Sequence, residues 1–192
     1  MSGSSSWRTV DIVVAAAIAV AFGVVFWAWG FAWAATAPLF TLLPPSQYLL
    51  SGTWLVAGVL GALVIRKPGA ALFTETVAAV VSVLLGSQWG LDTATSGLIQ
   101  GLGAEVVFAS FRYRVWTLGT AILAAIGSGL GEWLHDMFFY YPEVGLGGWL
   151  VFLAFMLASA ALIAGAGSRW LERALAQAGV LAAFPSGRAR SG

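Results

Sequence analysis

The segment Gly97–Glu105 reads GLIQGLGAE, and it lies in a run of apolar residues long enough to belong to a membrane span. A second segment, Pro68–Glu75, reads PGAALFTE and places another carboxylate in similar surroundings. A carboxylate inside the hydrocarbon costs about 2.5–3.5 kcal/mol on insertion scales, so such residues usually serve a function. The glycines beside Gln100 allow another backbone or a ligand to approach closely. Both segments predict a polar pocket near the bilayer midplane.

The composition is that of an integral membrane protein. Hydrophobic residues make up 60% of the 192 residues and charged residues only 9%, whereas a soluble domain is about half apolar and a quarter charged. The absence of cysteine excludes thiol catalysis and disulfides, and a single histidine excludes a metal site built from several histidines. No Walker phosphate-binding loop is present. We therefore predict neither a cofactor nor a metal.

Charges, prolines and glycines divide the apolar runs into six predicted membrane helices, since a helix needs about 20 apolar residues to cross the hydrocarbon. The expected spans are Thr9–Phe31, Gly52–Ile65, Gly69–Gly86, Thr93–Phe111, Val115–His135 and Gly147–Trp170. The first is too long for a signal-peptide core and is expected to be retained. The predicted fold is an all-α bundle: residues 1–184 form a single six-helix transmembrane domain, and the basic tail 185–192 is disordered.

The basic residues predict the orientation of this bundle. If both termini are cytoplasmic, the segments on the cytoplasmic side contain all 9 Lys and Arg residues of the chain. The opposite segments contain none of them and carry Asp92, His135, Asp136 and Glu143 instead. Since basic loops stay on the cytoplasmic side, this separation predicts a multi-pass membrane protein with an even number of spans.

The outer segments are rich in aromatic residues and proline. The longest, Ala34–Ser51, is expected to fold over an opening in the bundle, and Trp89 and Tyr140 lie in the other two. These rings either form an interfacial belt or cover a ligand by stacking on a flat heterocycle. The candidate substrate-binding residues are Glu75, Ser82, Gln88, Trp89, Gln100, Glu105, Asp136 and Tyr140. The alternative is that the carboxyl groups are protonated and only hold neighbouring helices together.

The predicted spans contain no lysine or arginine except Arg169 at the cytoplasmic end of the sixth, which restricts the ligand. An anionic substrate would require a cationic partner or helix N-termini. Carboxylates, an amide and aromatic rings suit a neutral or cationic heterocycle instead. An aminopyrimidine can donate its amino group to a carboxyl, and a thiazolium is favoured by a nearby anion and ring faces.

Small residues form a second feature, in the first span. Ala15, Ala19 and Gly23 are spaced at i, i+4 and i+8, with Ala17 and Ala21 beside them. Such a smooth stripe allows a helix of another subunit to pack closely, and the alternative is that it packs within its own bundle.

Several motifs together resemble one family. They are IRKPGAAL at Ile65–Leu72 followed by Glu75, LLG at Leu84–Gly86, IQGLGAE at Ile99–Glu105 followed by Phe108, and Asp136 with Phe138. They resemble the YkoE family, the substrate-binding S components of energy-coupling factor (ECF) transporters for thiamine or its hydroxymethylpyrimidine precursor. The resemblance covers most of the chain, although the first outer loop departs from the pattern.

The resemblance implies a six-helix vitamin-binding subunit that captures its substrate from outside. It also implies two kinds of partner, a transmembrane coupling subunit and two cytosolic ATPases, with the stripe Ala15, Ala19 and Gly23 facing the coupling subunit. Other readings are an S component for another heterocyclic vitamin, a membrane hydrolase using Glu75 and Glu105, and a structural membrane protein without a ligand. The absence of a nucleophile–base pair in the spans argues against the enzyme.

Overall fold

Six long helical rods make up the part of the chain that the structure, a computed structural model, describes: residues 6–188. The α-helices are α1 (Thr9–Thr36), α2 (Val56–Ile65), α3 (Ala70–Leu84), α4 (Asp92–Ser110), α5 (Leu118–Phe139), α6 (Gly145–Ser159), α7 (Gly167–Gln177) and the short α8 (Pro185–Arg188). The 3-10 helices Ala37–Phe40 and Pro44–Leu55 extend α1 and precede α2, and the π-helical segment Ala160–Ala166 joins α6 to α7. Residues 6–188 contain no strand, so the all-helical prediction is confirmed.

Three of these rods are long and apolar enough to cross a membrane by themselves, namely Thr9–Phe40, Pro44–Ile65 and Gly145–Gln177. Helix α3 is apolar but has only 15 residues. Helices α4 and α5 have 19 and 22 residues and carry more polar side chains, which line an internal cavity described below. These lengths support a multi-pass membrane protein, and the assignment of every rod as a span stays a prediction.

The second rod changes its helical form in the middle. Pro44 and Pro45 begin a 3-10 helix of 12 residues, which passes into α2 at Val56. Helix α1 continues to Thr36, so only Thr41–Leu43 link two helical segments. The sequence-based expectation of a long loop at Ala34–Ser51 is therefore wrong: most of that segment is helical and belongs to the walls of the bundle.

The small-residue stripe of α1 faces the inside of the bundle. Ala15 and Ala19 are completely buried, and a Cβ atom added to Gly23 would lie 2.5 Å from the Cβ of Val81 on α3. The prediction that Ala15, Ala19 and Gly23 face a coupling subunit is thus corrected, because α3 already occupies that face. Ala17 and Ala21 lie on the exposed side of the same helix.

The C-terminal segment after α7 folds back onto the bundle. Leu181 and Phe184 are buried in the core, and the Ser186 hydroxyl donates a 3.0 Å hydrogen bond to the carbonyl of Val64. Residues 185–188 therefore form part of the packed structure rather than a disordered tail. Residues 189–192 of the predicted tail lie outside the described part of the chain.

The contacts between Lys or Arg and carboxylates gather at one end of the bundle, which is called the basic end below. Lys67 Nζ lies 2.6 Å from Asp11 Oδ2 and joins the α2–α3 turn to the start of α1. Arg66 Nη2 lies 3.3 Å from Glu172 Oε1 and joins the same turn to α7. Four residues predicted for the outer segments, Trp89, Asp92, Asp136 and Tyr140, lie at the opposite end, where they line a cavity.

Candidate functional site

A cavity of about 130 Å³ lies at the end of the bundle opposite the basic end. Its volume is close to that of an engineered cavity of about 150 Å³ that holds a benzene molecule. The aromatic residues of its walls are Phe26, Trp33, Tyr48, Trp54, Trp89, Tyr140 and Tyr141. The polar residues of its walls are Ser51, Asp92, Thr93, Ser96, Gln100, Glu132 and Asp136. The cavity thus combines ring faces with carboxylates.

The ring of His135 bridges two carboxylates beside the cavity. Its Nδ1 atom lies 3.2 Å from Asp136 Oδ1, and its Nε2 atom lies 3.2 Å from Asp92 Oδ1. His135 is buried and stacks on Phe139 with 4.6 Å between the ring centres. The imidazole therefore fixes the end of α5 against the start of α4.

Two tyrosines donate to the same pair of carboxylates. The Tyr48 hydroxyl donates to Asp136 Oδ2 at 2.7 Å, and the Tyr140 hydroxyl donates to Asp92 Oδ2. Burial, together with the hydrogen bond to Asp92, raises the pKa of Tyr140 above its usual range, so this hydroxyl keeps the proton that it donates. Asp92 and Asp136 are thus each held by a tyrosine hydroxyl as well as by the ring of His135.

A second polar chain runs deeper along the cavity. Ser96 Oγ lies 2.7 and 2.6 Å from the two carboxylate oxygens of Glu132. The side chain of Gln100, one helical turn further along α4, donates to Ser96 Oγ at 2.8 Å. The cavity lining therefore includes three carboxylates, and no lysine or arginine belongs to it. Such a site favours hydrogen-bond donors and positive charge over anions.

The aromatic rings of the walls contact one another edge to face. The ring of Trp33 lies 5.8 Å from that of Tyr48 and 5.4 Å from that of Trp54. Trp54 in turn lies 5.3 Å from Trp89. The indole nitrogen of Trp54 donates to the carbonyl of Phe26 at 3.2 Å, which fixes the ring against α1. Edge-to-face packing of this kind is a favourable arrangement for aromatic pairs.

The structure brings four of the eight sequence-predicted residues together at the cavity: Trp89, Gln100, Asp136 and Tyr140. Gln88 is exposed, and its side chain donates to the carbonyl of Gly30 on α1 at 3.1 Å. Ser82 is buried within the bundle and does not belong to the cavity lining. That the four cavity residues bind substrate stays a prediction.

Glu105 is placed elsewhere and has a different role. Its carboxylate accepts hydrogen bonds from the backbone amides of Gly69, Ala71 and Leu72, at 2.6, 2.9 and 3.2 Å. These groups form the first turn of α3, where a carboxylate satisfies free amides and suits the helix dipole. The Tyr113 hydroxyl also donates to Glu105 at 2.8 Å, and burial with this hydrogen bond raises the pKa of Tyr113 to about 12. Glu105 is therefore corrected from a pocket residue to a helix cap at the basic end.

Glu75 lies in the core between α2 and α3 with 1% of its surface exposed. Its Oε2 atom accepts a hydrogen bond from the backbone amide of Gly58 at 2.5 Å. Gly58 follows the change from 3-10 to α-helix, where the first amides of α2 need partners. Glu75 does not belong to the cavity lining, so its predicted place in the pocket is also corrected.

Sequence reasoning gave too little weight to several residues of the site. Tyr48 and Trp54 were hidden because the segment Pro44–Leu55 has the composition of a loop but forms a helix beside the cavity. Ser96 could have been recognised, since it precedes Gln100 by four residues and so shares its face of α4. Glu132 and Asp136 have the same spacing on α5. Glu132, His135 and Asp136 also offer ligand atoms within 4.8 Å of one another, which a count of histidines overlooks.

Comparison with known proteins identifies the family. Residues 10–131 match a family described as "ABC-type cobalt transport system, permease component". The chain is 35% identical over 184 residues to "Putative HMP/thiamine permease protein YkoE" of Bacillus subtilis (strain 168), covering 95% of this chain and 92% of that protein.

A solved structure described as "Crystal structure of an S-component of ECF transporter" superposes with a TM-score of 0.90 at 35% identity. The match covers 95% of this chain and 92% of that one. Sequence and fold thus agree over nearly the whole length, and the relatives are transport proteins rather than enzymes. The chain belongs to the YkoE family of S components, the vitamin-binding subunits of ECF transporters.

Proposed function

We propose that this S component captures thiamine or hydroxymethylpyrimidine outside a prokaryotic plasma membrane and delivers it inward with an ATPase-driven coupling module. The single observation that carries this proposal is the cavity that combines three carboxylates with aromatic walls. It is supported by the relative from Bacillus subtilis, whose name specifies HMP and thiamine.

The chemistry of the cavity suits both parts of thiamine. The amino group of the pyrimidine is a donor, and the carboxylates of Glu132 and Asp136 are acceptors at its edge. The thiazolium ring carries a positive charge, which the acidic lining and the face of Trp54 favour. Carboxylates in a membrane protein need such a partner, because an isolated charge there is costly.

The proposed topology follows from the two ends of the bundle. We place both termini and the basic end in the cytoplasm, because basic segments remain on that side. All six rods then cross the membrane, and the cavity lies toward the outside, where a substrate is captured. The proposed partners are a transmembrane coupling subunit and two cytosolic ATPases. The coupling subunit would contact the exposed side of α1, where Ala17 and Ala21 permit close helix packing.

A direct test is mass spectrometry of small molecules extracted from the detergent-purified protein, followed by isothermal titration with thiamine and hydroxymethylpyrimidine. We expect one of these compounds to co-purify and both to bind. Absence of binding by the unaltered protein to either compound contradicts the proposed substrate.

A second candidate substrate is a divalent transition-metal ion. It is favoured by the cluster of Glu132, His135 and Asp136 and by the description of the matching family. The geometry favours the heterocycle, because both ring nitrogens of His135 already contact carboxylates and aromatic rings form much of the wall. Titration with Co²⁺ in the same assay separates the two candidates.

A further inference from the structure

A second, smaller cavity of about 50 Å³ lies next to the first. It lies between α1 and the turn that joins α3 to α4, and its lining includes Trp27, Gly30 and Gln88. Phe26 and Trp89 belong to the linings of both cavities. These two side chains therefore form the wall between the two spaces.

The indole ring of Trp89 is held between two surfaces. On one side it packs edge to face on Trp54 at 5.3 Å between ring centres. On the other side it lies against Gly30 of α1, where an added Cβ atom would approach Trp89 Cζ3 to 3.6 Å. The ring thus fills the space that would otherwise connect the cavities.

The backbone around Trp89 allows this ring to change position. Gly86 and Gly90 flank it with φ angles of 94° and 58°, and a Cβ atom added to either glycine would meet no other atom within 4 Å. Besides backbone hydrogen bonds within the turn and to the end of α3, the turn is held by the Ser87–Thr93 hydroxyl pair at 2.7 Å and by the bond from Gln88 to Gly30. A tryptophan on such a turn can act as a movable wall.

The two proposed substrates differ in length by one ring. The first cavity is close in volume to one that holds a single six-membered ring, which suits hydroxymethylpyrimidine. Thiamine adds a thiazolium ring and needs further space, which the neighbouring cavity provides only when the wall moves. We infer that Trp89 is the specificity-determining residue that selects between one-ring and two-ring ligands. This inference rests on the proposed function and adds to it a structural basis for the selection of ligands by length.

The test compares two Trp→Leu variants of the full-length protein. Trp89→Leu removes the shared wall, whereas Trp27→Leu enlarges only the second cavity and serves as the matched control. Isothermal titration gives the ratio of thiamine affinity to hydroxymethylpyrimidine affinity for each protein. We expect Trp89→Leu to raise this ratio by about tenfold or more and Trp27→Leu to change it by less than about twofold. Trp89→Phe, which keeps an aromatic ring, should raise it by a smaller factor and provides a milder variant if Trp89→Leu folds poorly.

Two outcomes overturn the inference. If the Trp89 variants bind both ligands more weakly by the same factor, Trp89 is a stacking surface and does not select ligands by length. An equal rise of the ratio in Trp27→Leu would indicate general loosening of the bundle. Failure of the unaltered protein to bind either compound is a different result, because it contradicts the proposed function itself.

Discussion

The hydroxyl group of Tyr48 donates a 2.7 Å hydrogen bond to Asp136, a residue 88 positions away in the sequence. Tyr48 belongs to the 3-10 helix before α2, and Asp136 lies near the end of α5. The bond connects two walls of the cavity, so the position of the Asp136 carboxylate depends on an element that sequence patterns assign to a loop.

Asp136→Asn should weaken thiamine binding, because it removes a negative charge from a lining that contains no basic residue. We expect a loss of about 2–4 kcal/mol, or about 30- to 1,000-fold in affinity. Tyr48→Phe keeps the charge and loses only the hydrogen bond, so its effect should be about tenfold or less. Isothermal titration measures both. Normal affinity in Asp136→Asn would remove Asp136 from the ligand site.

Glu105→Gln should lower stability and leave ligand affinity unchanged. The carboxylate accepts three backbone amides at the start of α3, and loss of its charge weakens this cap by about 1–2 kcal/mol. Thermal melts in detergent detect the change. Glu143→Gln, the same substitution at an exposed position, is the control and should melt normally. A loss of affinity without a loss of stability would return Glu105 to the pocket.

Two substitutions of Glu75 should show whether the side-chain oxygen that accepts the hydrogen bond from Gly58, rather than the carboxyl group as such, stabilises the protein. Glu75→Gln retains an oxygen for the amide of Gly58, so it should change stability by less than about 1 kcal/mol. Glu75→Leu removes the acceptor and leaves a buried amide unpaired, at a cost of about 1–3 kcal/mol. Thermal melts and titrations of both variants test this order. A weakening of substrate binding by Glu75→Gln larger than its effect on stability would contradict the structural role.

Tryptophan substitutions on the two sides of α1 should have opposite consequences. Ala17→Trp and Ala21→Trp place a bulky ring on the exposed side, so the isolated protein should bind its ligand within a few-fold of normal while uptake by cells is lost. Ala15→Trp and Ala19→Trp place the ring at completely buried positions and should lower the melting temperature and binding together. Normal uptake by the Ala17 and Ala21 variants would exclude this face as the coupling surface.

The proposed orientation can be tested with single cysteines, because the chain contains none of its own. Leu42→Cys and Glu143→Cys are exposed at the cavity end and should react with an impermeant thiol reagent added to intact cells. Ser110→Cys, exposed at the basic end, should react only after permeabilisation. Labelling of Ser110→Cys from outside would reverse the topology.

The apolar runs predicted the helices well, because membrane helices need long apolar stretches and basic turns mark one side. The depth of a residue in the membrane does not by itself predict which face of its helix the side chain occupies. Gln100 and Glu105 are five residues apart, which turns their side chains about 140° from each other on an α-helix. They could not both face one cavity, and Glu105 instead points to the start of α3.

Contacts between distant segments account for the other differences. The burial of Ala15 and Ala19 depends on where α3 packs, and small residues favour close packing equally well within a bundle and between subunits. The bridge of His135 between Asp92 and Asp136 depends on the alignment of α4 with α5. Sequence spacing predicts neither alignment, although it does predict the shared faces of Ser96 with Gln100 and of Glu132 with Asp136.

The 3-10 form of Pro44–Leu55 has a consequence for the reach of the second rod. A 3-10 helix rises about 2.0 Å per residue and an α-helix about 1.5 Å. The 12 residues of this segment therefore extend about 24 Å, where an α-helix of the same length would cover about 18 Å. With α2 added, the rod exceeds the hydrocarbon thickness of about 30 Å by a margin that a uniform α-helix would nearly lose. A substitution that converts this segment to α-helix would shorten the rod and draw Tyr48 away from Asp136 without altering either residue.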